Sequence, residues 1–136
     1  MTKPLAILLA IAVFAFATDG DRGSGTSPPP DGERREVEAP VESFDLLILE
    51  SFPPQYNVEI VSGLSNGCHL FERYETVRND TDIRIIVWNT VLVDDDTVCA
   101  EIYGMHTGGV TIGSDFESGT EYTLTVGDKT ETLVAQ

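Results

Sequence analysis

From Val41 onward, apolar and polar residues alternate in short runs broken by turn residues, a period-two pattern that predicts β-strands. Phe44 to Leu49 is an apolar-rich first strand, ended by Ser51-Phe52-Pro53-Pro54. Tyr56 to Ser62 alternates, with Tyr56, Val58 and Ile60 on one face and Asn57, Glu59 and Val61 on the other. Ser65-Asn66-Gly67 predicts a turn, Cys68 to Val77 a third strand, and Arg78-Asn79-Asp80-Thr81 another turn. Ile83 to Val93 is the strongest β signal in the chain. Its two faces, Ile83, Ile85 and Val87 against Arg84, Ile86 and Trp88, both carry apolar residues, so it should be central. The Ile83 face should look inward, with Tyr122 and Leu124 contributing from a neighbour, and Trp88 should look outward beside Arg84 unless a bulge shifts the register.

Asp94-Asp95-Asp96 interrupts the pattern and Val98 to Tyr103 resumes it as a strand. Tyr103 to Gly109 is glycine-rich and reads as a loop, and Val110 and Ile112 mark a short strand after it. Glu121 to Val126 and Thr130 to Val134 flank Gly127-Asp128 as a terminal hairpin. No apolar stripe of helical period is sustained beyond the first 17 residues. About seven strands at this spacing predict an all-β, Ig-like antiparallel β-sandwich. Tyr122 opens the penultimate strand, where such folds pin a loop through a tyrosine hydroxyl.

Two segments precede this domain, which the sequence bounds at residues 41–136. Met1 to Ala17 reads as a signal peptide: Lys3 gives a positive start, Leu5 to Phe16 is unbroken apolar chain, and Ala15 and Ala17 suit a cleavage site. The run is short for a hydrocarbon core of roughly 30 Å, which takes about 20 helical residues. A secreted or extracytoplasmic location follows, with no membrane insertion after cleavage. No cysteine follows the run, which disfavours a lipid anchor. Residues 18–40 hold Gly20, Gly23, Gly25, Pro28-Pro29-Pro30 and the charge cluster Glu33-Arg34-Arg35-Glu36, with Val37 as the single large aliphatic residue. That composition predicts a disordered linker with a stiff polyproline kernel.

Charge narrows the partners. Asp and Glu number 23 against 8 Lys and Arg, for a net charge of −15. Nucleic acid and anionic lipid, which need basic surface, are excluded as partners. Only Lys3 and Lys129 are lysines, a surface suited to concentrated salt, where counterions screen self-repulsion.

Cys68 and Cys99 are the only cysteines. In an exported chain an even count reads first as a disulfide, here closing a loop of about 30 residues. A zinc site of Cys68, His69, Cys99 and His106 is the alternative. Adjacent strand residues point to opposite faces and no CxxC or HxxxH spacing occurs, both of which weigh against it.

Gly63-Leu64-Ser65-Asn66-Gly67-Cys68, Cys99 and the closing Gly119-Thr120-Glu121-Tyr122-Thr123-Leu124 resemble a small secreted two-cysteine domain of uncharacterised bacterial envelope proteins. In that group a G-x-x-[DN]-G-C turn and a G-x-Y-x-[LV] strand recur behind a signal and a linker. Ser65 stands where the group's pattern has proline. The resemblance spans roughly Phe44 to Val134 and implies an Ig-like sandwich with no assigned activity.

No enzyme is expected. His69 and His106 are the only bases near neutral pH, Ser62, Ser65 and Ser114 are turn residues, and no G-x-S-x-G occurs. No cofactor or metal is expected either: Asp94-Asp95-Asp96 with Thr97 offers oxygens, but lacks the spacing and glycine pivot of a Ca²⁺ loop. Asn79-Asp80-Thr81 matches a glycosylation sequon in a predicted turn, a short match that carries little weight. The expected role is an extracytoplasmic binding or structural module for an unidentified protein or envelope component. The alternative is a small secreted protease inhibitor. Met105 and His106, in the loop Tyr103 to Gly109, are the candidate contact residues.

Overall fold

The computed structural model describes residues 31–94 and 96–136; the signal segment, the linker as far as residue 30, and Asp95 lie outside the described residues. Eight strands form among them: β1 (Arg34–Glu38), β2 (Val41–Leu49), β3 (Gln55–Leu64), β4 (Leu70–Asn79), β5 (Asp82–Leu92), β6 (Gly104–Gly113), β7 (Glu121–Val126) and β8 (Lys129–Val134). They make a two-sheet all-β sandwich. In the larger sheet β5 is central, with β4 antiparallel along one edge. The other edge is divided, β1 lying beside residues 88–92 and β7 beside residues 82–85, and β8 extends the sheet through β7. The smaller sheet has the order β2-β3-β6.

Alternation dictates the core. Tyr56, Val58 and Ile60 of β3 pack with Ile83, Ile85 and Val87 of β5 and with Tyr122, Leu124 and Val126 of β7, all buried. Burying each aliphatic side chain is worth about 1.5–3 kcal/mol relative to exposure. The phase of β5 is the one its sequence predicts, and β5 is central. Trp88 stands on its outer face, where its indole N–H donates to Glu75 at 2.8 Å. Its cationic neighbour is Arg73, 5.5 Å from the ring, rather than Arg84.

Tyr122 acts as a corner: its hydroxyl accepts the backbone N–H of Glu117 at 2.9 Å, while Phe116 packs edge-on at 5.0 Å. Tyr122→Phe should keep the ring packing and lose only this bond, lowering unfolding free energy by about 0.5–1.5 kcal/mol in urea titrations. The closing hairpin turns at Gly127, whose φ of 59° suits the first central position of a two-residue hairpin turn.

Four sequence expectations are corrected. The linker does not run to residue 40: Arg34–Glu38 is a strand. Composition missed it because backbone pairing with β5 holds it, together with Arg34 donating to Thr90 Oγ1 at 2.9 Å and Arg73 bridging Glu36 at 2.9 Å. The third strand starts at Leu70, not Cys68, since the Asn66 side chain accepts the Cys68 N–H at 2.9 Å and closes a turn there. Val98 to Tyr103 is not a strand, because its cysteine is tied across to the β3–β4 turn. Gly104 to Gly113, expected to begin as a loop, is one continuous strand on β3. One pairing, β5 with β7, is parallel within an otherwise antiparallel fold.

Candidate functional site

The segment between β5 and β6 is a strap of irregular backbone fixed at defined points. Cys99 is disulfide-bonded to Cys68, Cα to Cα 5.4 Å, and the Gly67 N–H donates to the Ala100 carbonyl at 2.8 Å. A Cβ at Gly67 would sit 3.1 Å from that of Ala100, so glycine lets the two backbones meet. The guanidinium of Arg34 donates to the Cys68 carbonyl and, at 3.1 Å, to that of Thr90, binding the turn to β1 and β5. At the far end, the Tyr103 hydroxyl donates to the Glu42 carboxylate, which raises the phenol's pKa. The same hydroxyl occupies the space a Cβ would need at Gly63.

Around these anchors the strap turns apolar side chains to solvent. Val98 is 92% exposed and Ile102 71%, and Met105, the first outward residue of β6, is 66% exposed. Isolated exposed aliphatics are ordinary, but three within eight residues next to a disulfide make this segment a candidate contact surface.

The two residues expected to share a contact loop are separated by the strand alternation of β6. Met105 points outward. His106 points inward and is half-buried, its ring stacked on Phe71 at 3.9 Å. Inward polar groups missed by the sequence gather around it. Ser62 is the register partner of His106, and Asn89 donates to the Gly63 carbonyl at 2.9 Å. Tyr74 fills the space a Cβ would need at Gly108. Ser62 Oγ, Tyr74 OH and Asn89 Oδ1 are buried without partners, and Ser62 and Asn89 have no solvent exposure. Burial pushes the Tyr74 phenol's pKa up. The signal of these buried groups in the sequence was polar residues in phase with core positions: Ser62 with Ile60, Asn89 with Val87.

Residues 58–135 match the ORF11 beta-sandwich domain. The chain belongs to this family. Over 93 residues it is 31% identical to a protein of Herpetosiphon aurantiacus described as an uncharacterized 10.2 kDa protein in the HgiCIIM 5′ region, a match covering 68% of this chain and 96% of that protein. No solved structure matches the chain. The family span runs from within β3 to just beyond β8, so the disulfide, the strap and β6 belong to the ORF11 beta-sandwich proper.

Charge in this ORF11 domain is divided between the sheets. Every lysine and arginine among the described residues lies on the larger sheet: Arg34 and Arg35 on β1, Arg73 and Arg78 on β4, Arg84 on β5 and Lys129 on β8. The β2-β3-β6 sheet carries the acids Glu42, Asp45 and Glu59 with no lysine or arginine, its one basic side chain being the inward His106, and the strap adds Glu101. Among the described residues no group of three or more His, Cys, Asp or Glu side chains is placed to hold a metal ion. Asp94 instead caps its own turn, accepting the Asp96 N–H at 2.9 Å.

His69, beside the disulfide, has a displaced pKa. Burial, then the charge of Arg34, lowers it, and its Nδ1 has no partner. The unfolded chain therefore binds a proton more readily than the folded one, so this stability is present above the ordinary histidine pKa of about 6.5 and lost below it. The urea midpoint should fall between about pH 7.5 and pH 5.5. His69→Gln should flatten that fall, and an unchanged slope would show that His69 is not its source.

Proposed function

We propose that this domain is a non-enzymatic, extracytoplasmic binding module of Ig-like architecture, exported by the segment Met1–Ala17. Its contact surface is the strap Val98–Tyr103 with Met105, and its partner is a protein or another envelope component. The observation that carries this reading is the exposure of Val98 and Ile102 on a segment held by Cys99 and by the Gly67–Ala100 hydrogen bond. A fixed segment loses little conformational entropy on docking, so apolar contacts there convert efficiently into affinity. The corner at Tyr122 supports the Ig-like description and the disulfide supports export, since such bonds persist in oxidising compartments. The inhibitor reading has lost its feature, because Tyr103 to Gly109 offers no free loop.

The test is capture from the native envelope fraction with the exported protein and with V98D/I102D. Both substitutions fall on exposed positions and should leave folding intact. A partner retained by the unaltered protein and lost by the variant is the expected result. Equal retention by both would contradict the strap as the contact surface. N-terminal sequencing of exported material should begin at Thr18; recovery of a chain starting at Met1 in membranes would contradict cleavage.

A further inference from the structure

The strand β6 is a long edge without protection. It pairs with β3 on one side and, among the described residues, with no strand on the other. Sheet edges are normally guarded by charge or proline, because their free N–H and C=O groups invite another strand. The other edges follow that rule: β1 carries Arg35 and Glu36, β2 Glu42 and Asp45, β4 Glu72 and Arg73, β8 Lys129 and Glu131. From Gly104 to Gly113, β6 has no lysine, arginine, acid or proline.

Its outward face leads to an unmatched pair of acids. Gly109 lies opposite Glu59 in the register, and Glu59 lies opposite Asp45. These two carboxylates face each other across strands, an unfavourable arrangement that no basic residue of this sheet relieves. Because Gly109 has no side chain, the way from the free edge to Glu59 is open. It forms a shallow groove of about 460 Å³ lined by Leu47, Asn57, Glu59, Thr107, Gly109 and Thr111.

We propose that β6 accepts an extended segment of another protein as a fourth strand of this sheet, a segment of alternating apolar and basic residues with a Lys or Arg opposite Gly109. Deepening the binding reading, on which it rests, it names the chemistry of the partner. Strands lie about 4.8 Å apart, so a basic side chain on the incoming strand must reach about 10 Å to Glu59, within the span of extended lysine or arginine. Main-chain pairing supplies affinity and the acidic row supplies selection. A second copy of this chain is disfavoured as occupant, because the sheet it would present carries no lysine or arginine and the chain carries −15.

The test uses the exported protein and three capped nonapeptides: alternating Lys/Val, alternating Glu/Val, and alternating Lys/Pro, which keeps the charge but lacks half the strand N–H groups. The Lys/Val peptide should slow amide exchange across Gly104–Gly113 by about tenfold or more at saturation, and the other two should not. Its affinity should fall several-fold in E59Q and with added salt. Protection spread over the molecule or seated on β4, equal binding of the Lys/Pro peptide, or insensitivity to E59Q would overturn the proposal. So would sedimentation showing that β6 is already covered in a dimer. Peptide failure with strap-dependent capture intact would sink this inference alone; loss of both would sink the binding reading as well.

Discussion

Cys99→Ser should lower the unfolding free energy by about 3–4 kcal/mol, the cost expected for opening a loop of this length in the unfolded chain. The bond joins positions 31 residues apart and spans β4, β5 and the strap. Cys68 is fully buried in a turn already bound by Asn66, by Arg34 and by the Gly67–Ala100 bond, so the folded state keeps some order there. The loss therefore falls mainly on the unfolded ensemble and on the strap. Guanidinium titrations of the oxidised protein, the reduced protein and the variant decide it. Reduced protein and variant should unfold together, well before the oxidised form; coincidence of all three would show that the bond contributes nothing.

The second large effect separates neighbouring residues of one strand. Ile85 is wholly buried against β3 and β7, whereas Ile86 is half-buried on the outer face of β5. Ile85→Ala should cost about 2–5 kcal/mol through lost transfer energy and the cavity left behind. Ile86→Ala should cost about 1 kcal/mol or less, since water can occupy the vacated space. Equal losses would mean that the strand is shifted by one residue, which would exchange its two faces.

That contrast marks how far the sequence could be read. Strict alternation at Tyr56–Ile60, and the period-two phase of Ile83, Ile85 and Val87 in a strand apolar on both faces, made the core strands and the inward Tyr122 and Leu124 legible. β1 was illegible for the opposite reason: Arg34 to Glu38 has almost no apolar content and is held by main-chain pairing and by Arg34 and Arg73. Glycines at 104, 108 and 109 disguised β6 as a loop, whereas Gly108 is there to admit the Tyr74 hydroxyl. The strap alternates like a strand from Val98 to Ile102, yet the bond at Cys99 draws it out of both sheets. Of the candidate contact pair, Met105 faces outward and His106 stands half-buried on the inner face of β6, because neighbouring strand residues alternate.

Site-specific photo-crosslinking tests the binding surface most directly. A benzoylphenylalanine at position 102 on the strap, and separately at Val77 on the outer face of the larger sheet, should be compared in the full chain produced in its native cells. The strap position should give a discrete crosslinked adduct that disappears when Val98 is replaced by aspartate, and position 77 should give none. Adducts from position 77 alone, or equal ones from both positions, would contradict the strap as the surface through which this domain binds.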